Sequence, residues 1–406
     1  MSREFFATRT VAQALAGFRP SRRTAVETVA LADALHRVPA AAISAPAALP
    51  GFARATVDGF AVRAADTYGA SEGLPSYLDV AGAVPMGRPP TVGVRTGQAV
   101  AVPTGGVLPD GADAVVMVEH TQCPMPGAVE VVRPVAPGDG LVRPDEDVAL
   151  GGLLVPAGRP LRAQDLGLLA AAGITVVAVH ARPRVAIVST GDEVVPAHTA
   201  SLLLGQVRDA TSTALAGLVR DAGGEPVLHG IVPDEAAALD AALRSALEDS
   251  DVVVVSAGSS VGARDETAGV VAGLGEPGIW CHGLAVHPGK PTLLAECAGV
   301  PVIGLPGNPL SALVVFRLVG VPVVRQVAGM TATSLEPTLT ALLERQVASA
   351  AGRLDVVQVQ LRDGVAVPLF GASALLSILA AADGYLLIDE DATGLDAGTA
   401  VAIHPY

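Results

Sequence analysis

The stretch Arg184–Val195, RVAIVSTGDEVV, decides the architecture. Val185–Val188 is an unbroken apolar run, the pattern of a strand buried on both faces. It gives way to Ser189-Thr190-Gly191-Asp192-Glu193, a polar loop. The pattern then repeats toward the C-terminus. Ala210–Ala222 has helical spacing through Leu215, Leu218 and Val219 and stops at Gly223-Gly224. Val227–Ile231 reads as a strand, Glu235–Leu247 as a helix and Val252–Val255 as a second buried strand. Strand signals return at Gly283–Val286 and Val300–Ile303, and Pro309–Val319 reads as a helix. Such alternation predicts an open, mostly parallel α/β sheet, in which ligands collect at the carboxyl ends of the strands.

Outward from this unit the texture changes. The N-terminal segment reads as a helix ending near Phe18, before Pro20, and a second helix is predicted over Val29–His36. From Ala45–Pro50 onward the composition shifts, and Val62–Leu141 is rich in Val, Gly and Pro. Within it, Gln98–Val102 and Ala114–Glu119 read as short strands, a small β-rich unit. Pro156–Ile174 looks helical again. Beyond Ala328, Leu354–Leu361 and Val365–Leu369 flank Arg362-Asp363-Gly364, a hairpin signal. With Tyr385–Ile388 and Ala400–Ile403 as further strands, the tail reads as a small β-barrel or sandwich.

At 406 residues the chain exceeds one ordinary core, so several domains are expected. Half of it is apolar but only 3% is aromatic. Its interior is therefore built of Val, Leu, Ala and Ile, which suits parallel sheets under helices. The formal charge of −14, with no block of like charges, argues against nonspecific binding to nucleic acid or an anionic membrane. It leaves room for a small anionic ligand held by local donors. Cys123, Cys281 and Cys297 are odd in number and widely spaced, which fits a reducing compartment and no disulfide framework. The start MSREFFATRT lacks a signal peptide's apolar core, and Leu310–Val324 is broken by Ser311, Arg317, Gly320 and Pro322. A cytoplasmic, soluble protein without membrane partners is the expectation.

The chemistry sits in the loops that follow the strands. The first ends in Ser189–Glu193, the next in Val232-Pro233-Asp234-Glu235. A third ends in Ser256-Ala257-Gly258-Ser259-Ser260-Val261-Gly262, with Asp265 shortly after. The last ends in Gly304-Leu305-Pro306-Gly307-Asn308-Pro309-Leu310-Ser311, and His287-Pro288-Gly289-Lys290-Pro291 lies before it. Glycines let backbone N–H groups approach an anion, helix N-termini favour negative charge, and Asp and Glu can hold a hard cation. Taken singly, each loop also reads as an ordinary turn or N-cap. Their common place on one sheet edge is what points to a nucleotide and oxyanion pocket. The chain has neither a Walker A lysine loop nor a G-x-G-x-x-G fingerprint.

Six ordered motifs carry a resemblance. They are Leu49-Pro50-Gly51-Phe52 with Thr56–Val62, Thr104-Gly105-Gly106 with Pro109–Val116, Ser189–Glu193, Ser256–Asp265, Pro288–Pro291 and Leu305–Ser311. In this order they resemble the molybdopterin molybdenumtransferases, the family of bacterial MoeA and the gephyrin E domain. The resemblance implies a multidomain α/β chain: an elongated helical domain (1–46 with 140–181), an inserted β domain (47–139), a three-layer α/β molybdopterin-binding domain (182–328) and a C-terminal β-barrel (329–406). It further implies a homodimer in which Asp58 and Thr104 of one subunit face the α/β domain of the other, and the molybdopterin adenylyltransferase as a partner.

By motif match the functional carboxylates are Asp58, Asp147, Glu193, Asp234 and Asp265, with Glu193 and Asp265 as Mg²⁺ ligands. Lys290 would neutralise phosphate or molybdate. Gly191, Asp192, Asp209, Ser256, Gly258, Ser259 and His287 would line the cofactor site, with Pro306, Asn308, Pro309 and Ser311 close by. Arg353 and Ser373 stand where the C-terminal domain would offer molybdate ligands. The implied substrates are adenylylated molybdopterin and molybdate, and the implied products include AMP. Three positions depart from the pattern. Arg54-Ala55-Thr56 lacks a serine, Ala257-Gly258 replaces a glycine pair, and His287 stands for a lysine, so a permanent charge becomes titratable. A nucleotide pyrophosphatase sharing the α/β domain and a noncatalytic scaffold are the competing readings.

Overall fold

The computed structural model describes residues 8–256, 261–331 and 337–406, the side chains of 261–265 excepted. At its centre stands a six-stranded sheet. Its strands are β1 (Arg184–Thr190), β2 (Glu225–Val232), β3 (Val252–Ser256), β4 (Pro277–His282), β5 (Leu293–Cys297) and β6 (Val300–Leu305), in the spatial order β2-β1-β3-β6-β5-β4. The pairings β1 with β2, β1 with β3, and β3 with β6 are parallel, whereas β5 runs antiparallel to both β4 and β6. The parallel half is the part the sequence announces. The antiparallel β4–β5 pair is not among the expected elements. The expected strand Gly283–Val286 is instead a crossing: the sheet strand ends at His282, and Val286–His287 pairs with Leu354–Asp355 of the C-terminal barrel.

Period-two alternation explains why the central strands look uniformly apolar. Val185, Ile187, Val252, Val254, Ile303 and Leu305 enter one core, while Ala186, Val188, Val253, Val255 and Val302 enter the other. The first core is covered by α1 (Thr211–Asp221) and the helical run starting at Pro309, the second by α2 (Ala236–Asp249) and α3 (Val261–Ala272). Three layers result, each strand needing apolar residues on both faces. The chain leaves β1 toward β2 on one side and later returns to β3 on the other. The carboxyl ends of β1 and β3 thus flank a topological switch point.

The helix expected over Pro309–Val319 continues to Val327. Phe316–Gly320 adopts π-helical turns, a widening that accommodates Pro322, which has no N–H for the regular ladder. Over its 19 residues this is the one candidate span, by length and hydropathy, among the described residues, and most of it is buried inside the molecule.

The other units flank this centre. A second six-stranded sheet lies within residues 59–131, with a mainly Val and Ala core. The C-terminal strands Leu339–Leu343, Leu354–Arg362, Val365–Leu369, Gly384–Ile388 and Ala400–Pro405 close on themselves, because Leu354–Arg362 pairs with both its neighbours in the ring. The Arg362–Gly364 turn joins two strands as expected. Near the N-terminus, Val11–Gly17 is helical and capped by Thr10. Val29–His36 is not a helix: Val26–Ala30 forms a ribbon with Val176–His180, followed by a short 3₁₀ turn at Leu31–Asp33. Pairing with residues about 150 positions away outweighs the local helical spacing. Ala163–Ala171 supplies the longest helix of this unit.

Candidate functional site

The strand ends place the expected residues in three groups. The first is a cleft of about 490 Å³ between the α/β unit and the barrel. Lys290, His287, Pro306, Asn308, Ser311, Arg353 and Ser373 all line it. Three cationic or protonatable side chains thus meet where the described residues of the lining include no carboxylate, within a chain of charge −14. Backbone bonds hold the walls together. Leu310 N–H donates to Ser373 O (3.1 Å), and Leu354 N–H donates to Ala285 O (2.9 Å). Gly289 has φ +129°, and a Cβ there would stand 2.3 Å from Val315 Cγ2, so glycine lets the lysine loop lie against the long helix. That helix begins at the cleft with Pro309 in its first turn. Asn308, at the N-cap, makes no side-chain cap bond and lines the cleft. Pro309 brings no N–H and that of Leu310 is taken by Ser373 O, so it is the helix dipole that favours an anion there.

The second group is acidic and lies at the ends of β1 and β2. Asp234 N–H donates to Asp192 Oδ1 (3.2 Å). Burial pushes the Asp234 carboxyl up, and the negative charges of Asp192, Glu193 and Glu266 push it further. Glu266, on α3, is a member that the sequence reading missed. Asp209 is engaged locally: it accepts from Ser189 Oγ (2.7 Å) and from Ser212 N–H (3.0 Å) beside the start of α1. Thr190 Oγ1 donates to the carbonyl of Ser256 across the switch point (3.3 Å), with Gly191 next in the loop. Ser256 ends β3 and is buried. Gly258 and Ser259 lie outside the described residues. Asp265 falls on the α3 backbone, but its side chain is outside them as well.

The third group lies in the inserted unit and just beyond it. Strands Gly59–Val62 and Gln98–Val102 pair antiparallel with Gly59 opposite Val102, so Asp58 and Thr104 emerge at the same end. Thr104 donates from both N–H (2.7 Å) and Oγ1 (3.0 Å) to Asp58 Oδ1. The bond from the Thr104 N–H, then that from its hydroxyl, hold the Asp58 carboxyl below its ordinary value. Asp147 is exposed in a turn whose N–H donates to Leu49 O (3.0 Å). None of these three lines the cleft.

One buried residue near the cleft gave no signal of its own in the sequence. Asp355 is buried beneath Arg353, a position that only the barrel register creates.

Sequence models of three families cover most of the chain. The MoeA N-terminal region (domain I and II) matches residues 8–173, a probable molybdopterin binding domain matches 186–326, and the MoeA C-terminal region (domain IV) matches 340–406. Molybdopterin molybdenumtransferase 2 of Mycobacterium tuberculosis H37Rv is 34% identical over 402 residues, 97% of each chain. The molybdopterin molybdenumtransferase of Haemophilus influenzae is 30% identical over 94% of each chain. A crystal structure of the molybdopterin biosynthesis moeA protein from Pyrococcus horikoshii OT3 superposes with a TM-score of 0.85 at 31% identity, covering 98% of this chain and all of that one. This chain belongs to the MoeA family of molybdopterin molybdenumtransferases.

Proposed function

We propose that this transferase inserts molybdate into adenylylated molybdopterin, releasing AMP, at a site running from the cationic cleft to the switch point of the α/β sheet. The convergence of Lys290, His287, Arg353, Asn308, Ser311 and Ser373 on a cleft whose described lining has no carboxylate carries this reading. Such a lining suits a tetrahedral dianion. Lys290 supplies a compact charge, Arg353 a planar fork, and the helix start at Pro309 the positive end of its dipole. The two dithiolene sulfurs bind molybdenum while one oxo group leaves as water with the thiol protons. Cleavage of the pyrophosphate link takes up one water. No redox change is required, and the chain's task is placement and charge neutralisation.

Glu193 would hold Mg²⁺ beside the pyrophosphate, with Asp265 as the expected second ligand and Asp192 and Asp234 adding negative charge around them. The like-charge pressure on Asp234 favours this fit. No three acidic side chains close a shell among the described residues, so substrate oxygens would have to complete the coordination. When bound, the ion neutralises phosphate oxygens and stabilises the departing AMP. Asp58 and Thr104 would reach this site from a second copy of the chain, forming a homodimer, and the adenylyltransferase that makes the substrate is a fitting partner. The four-part division at 46/47, 139/140, 181/182 and 328/329 belongs to the same proposal.

A single-turnover assay tests the activity: purified adenylylated molybdopterin, molybdate and Mg²⁺, with AMP and finished cofactor both measured. Lys290→Ala should lower the rate at least about 100-fold, as expected for removing one charge-stabilising donor, with folding preserved. AMP release that ignores molybdate would point to a pyrophosphatase, and parental turnover by Lys290→Ala would remove the cleft from the reaction.

A further inference from the structure

The cations of the cleft rest on a carboxylate that does not line it. Asp355 is 5% exposed, at the start of the strand Leu354–Arg362. Its Oδ2 accepts from Ser349 Oγ (2.9 Å) and from Arg353 Nη2 (3.3 Å). Its Oδ1 lies 2.8 Å from Arg353 Nε and 3.7 Å from His287 Nδ1. The first of these is close enough for an ion pair but not aligned as a hydrogen bond, so Oδ1 and Nε are both buried without one. A buried carboxylate is costly unless cations compensate it. Both groups that face Oδ1 here also line the cleft.

The backbone explains why they meet. Val286–His287 pairs in parallel with Leu354–Asp355, making His287 and Asp355 register partners across the junction of the α/β unit and the barrel. We propose that Asp355 is a positioning residue for oxyanion capture: its buried carboxylate anchors the Arg353 guanidinium at the mouth of the cleft and faces His287 from behind. With Nε and Nη2 turned toward Asp355, Nη1 remains for a ligand. The inference rests on the reading of this cleft as the molybdate site.

Charge alone predicts the opposite effect, since a carboxylate behind an anion site repels the anion and its removal would tighten binding. Anchoring predicts weaker binding, because a released arginine must be ordered again each time it captures a ligand. Arg353 is held at two atoms and borders solvent, so the loss of order dominates.

Asp355→Asn keeps the side chain's size and an oxygen for Ser349 while removing the charge. Molybdate affinity of the full chain, measured by calorimetry beside urea unfolding, should fall about tenfold. In an Arg353→Ala background the same change should add little, because Asp355 acts through Arg353. Ser349→Ala, which removes a support of Asp355 from outside the cleft, should give a smaller loss in the same direction and serves if Asp355→Asn unfolds. Equal or tighter binding by these variants, or an equal loss with and without Arg353, would overturn the positioning role. If the parent chain binds no molybdate, or Arg353→Ala binds as the parent does, the reading of the cleft itself fails.

Discussion

Asp165 shows how one side chain fixes a local structure far from the cleft. It is buried, yet Arg159 grips both its oxygens (2.9 Å each) and Arg162 reaches it through backbone N–H, Nε and Nη2. Burial pushes its carboxyl up, but the hydrogen bonds from Arg162 and Arg159 outweigh this and hold it far below the usual carboxylate range. A depressed carboxylate stabilises the fold above its unfolded value, near 3.9, and that contribution is lost as pH falls through the folded value. Asp165→Ala should therefore cost on the order of 3 kcal/mol near neutrality, by leaving two guanidinium groups without their buried partner. Urea unfolding should show the gap between parent and variant narrowing only below about pH 4; a gap constant with pH would contradict the ionic account. The sequence shows Arg159, Arg162 and Asp165 at helix-start spacing but not that the carboxylate is buried.

At the scale of elements, the long helix at Pro309 joins the cleft to the core. Its N-terminus meets the cleft, and its middle widens into π turns at Phe316–Gly320. Gly320 sits under the Phe316 ring, where a Cβ would approach Cδ2 to 2.2 Å. Phe316 is fully buried, so the ring has nowhere to retreat. Gly320→Ala should destabilise the chain by about 1–3 kcal/mol through overpacking, more than the small gain that glycine-to-alanine gives in an unobstructed helix. A thermal midpoint at or above the parent's would show that the widened turn relaxes freely. Gly320 and Pro322 read in sequence as interruptions, which made the helix look shorter than it is. The π turn carries the chain across them, and apolar Val and Leu on both sides sustain burial.

For the whole molecule, the separation of Asp58–Thr104 from the α/β loops is the fact with the largest consequence. If the inserted unit completes the site of a second copy, Asp58→Ala and Lys290→Ala chains mixed as dimers should regain activity. Random pairing makes half the dimers mixed, each with one intact site of two, so about a quarter of the parental activity should return. No recovery in verified mixed dimers would mean that each chain builds its own site. The sequence by itself determined the parallel half of the central sheet, the C-terminal strands and the identity of the polar loops. Those rest on local information: burial on both faces demands unbroken apolar runs, and loops at strand ends keep their polar residues adjacent in sequence. Only the tertiary structure decided that β4 and β5 run antiparallel, that Val26–Ala30 is a strand and that Val286–His287 belongs with the barrel. It also decided that Asp355 stands behind Arg353. These depend on pairing between segments tens to hundreds of residues apart, where register over a shared core outweighs the propensity of any short stretch.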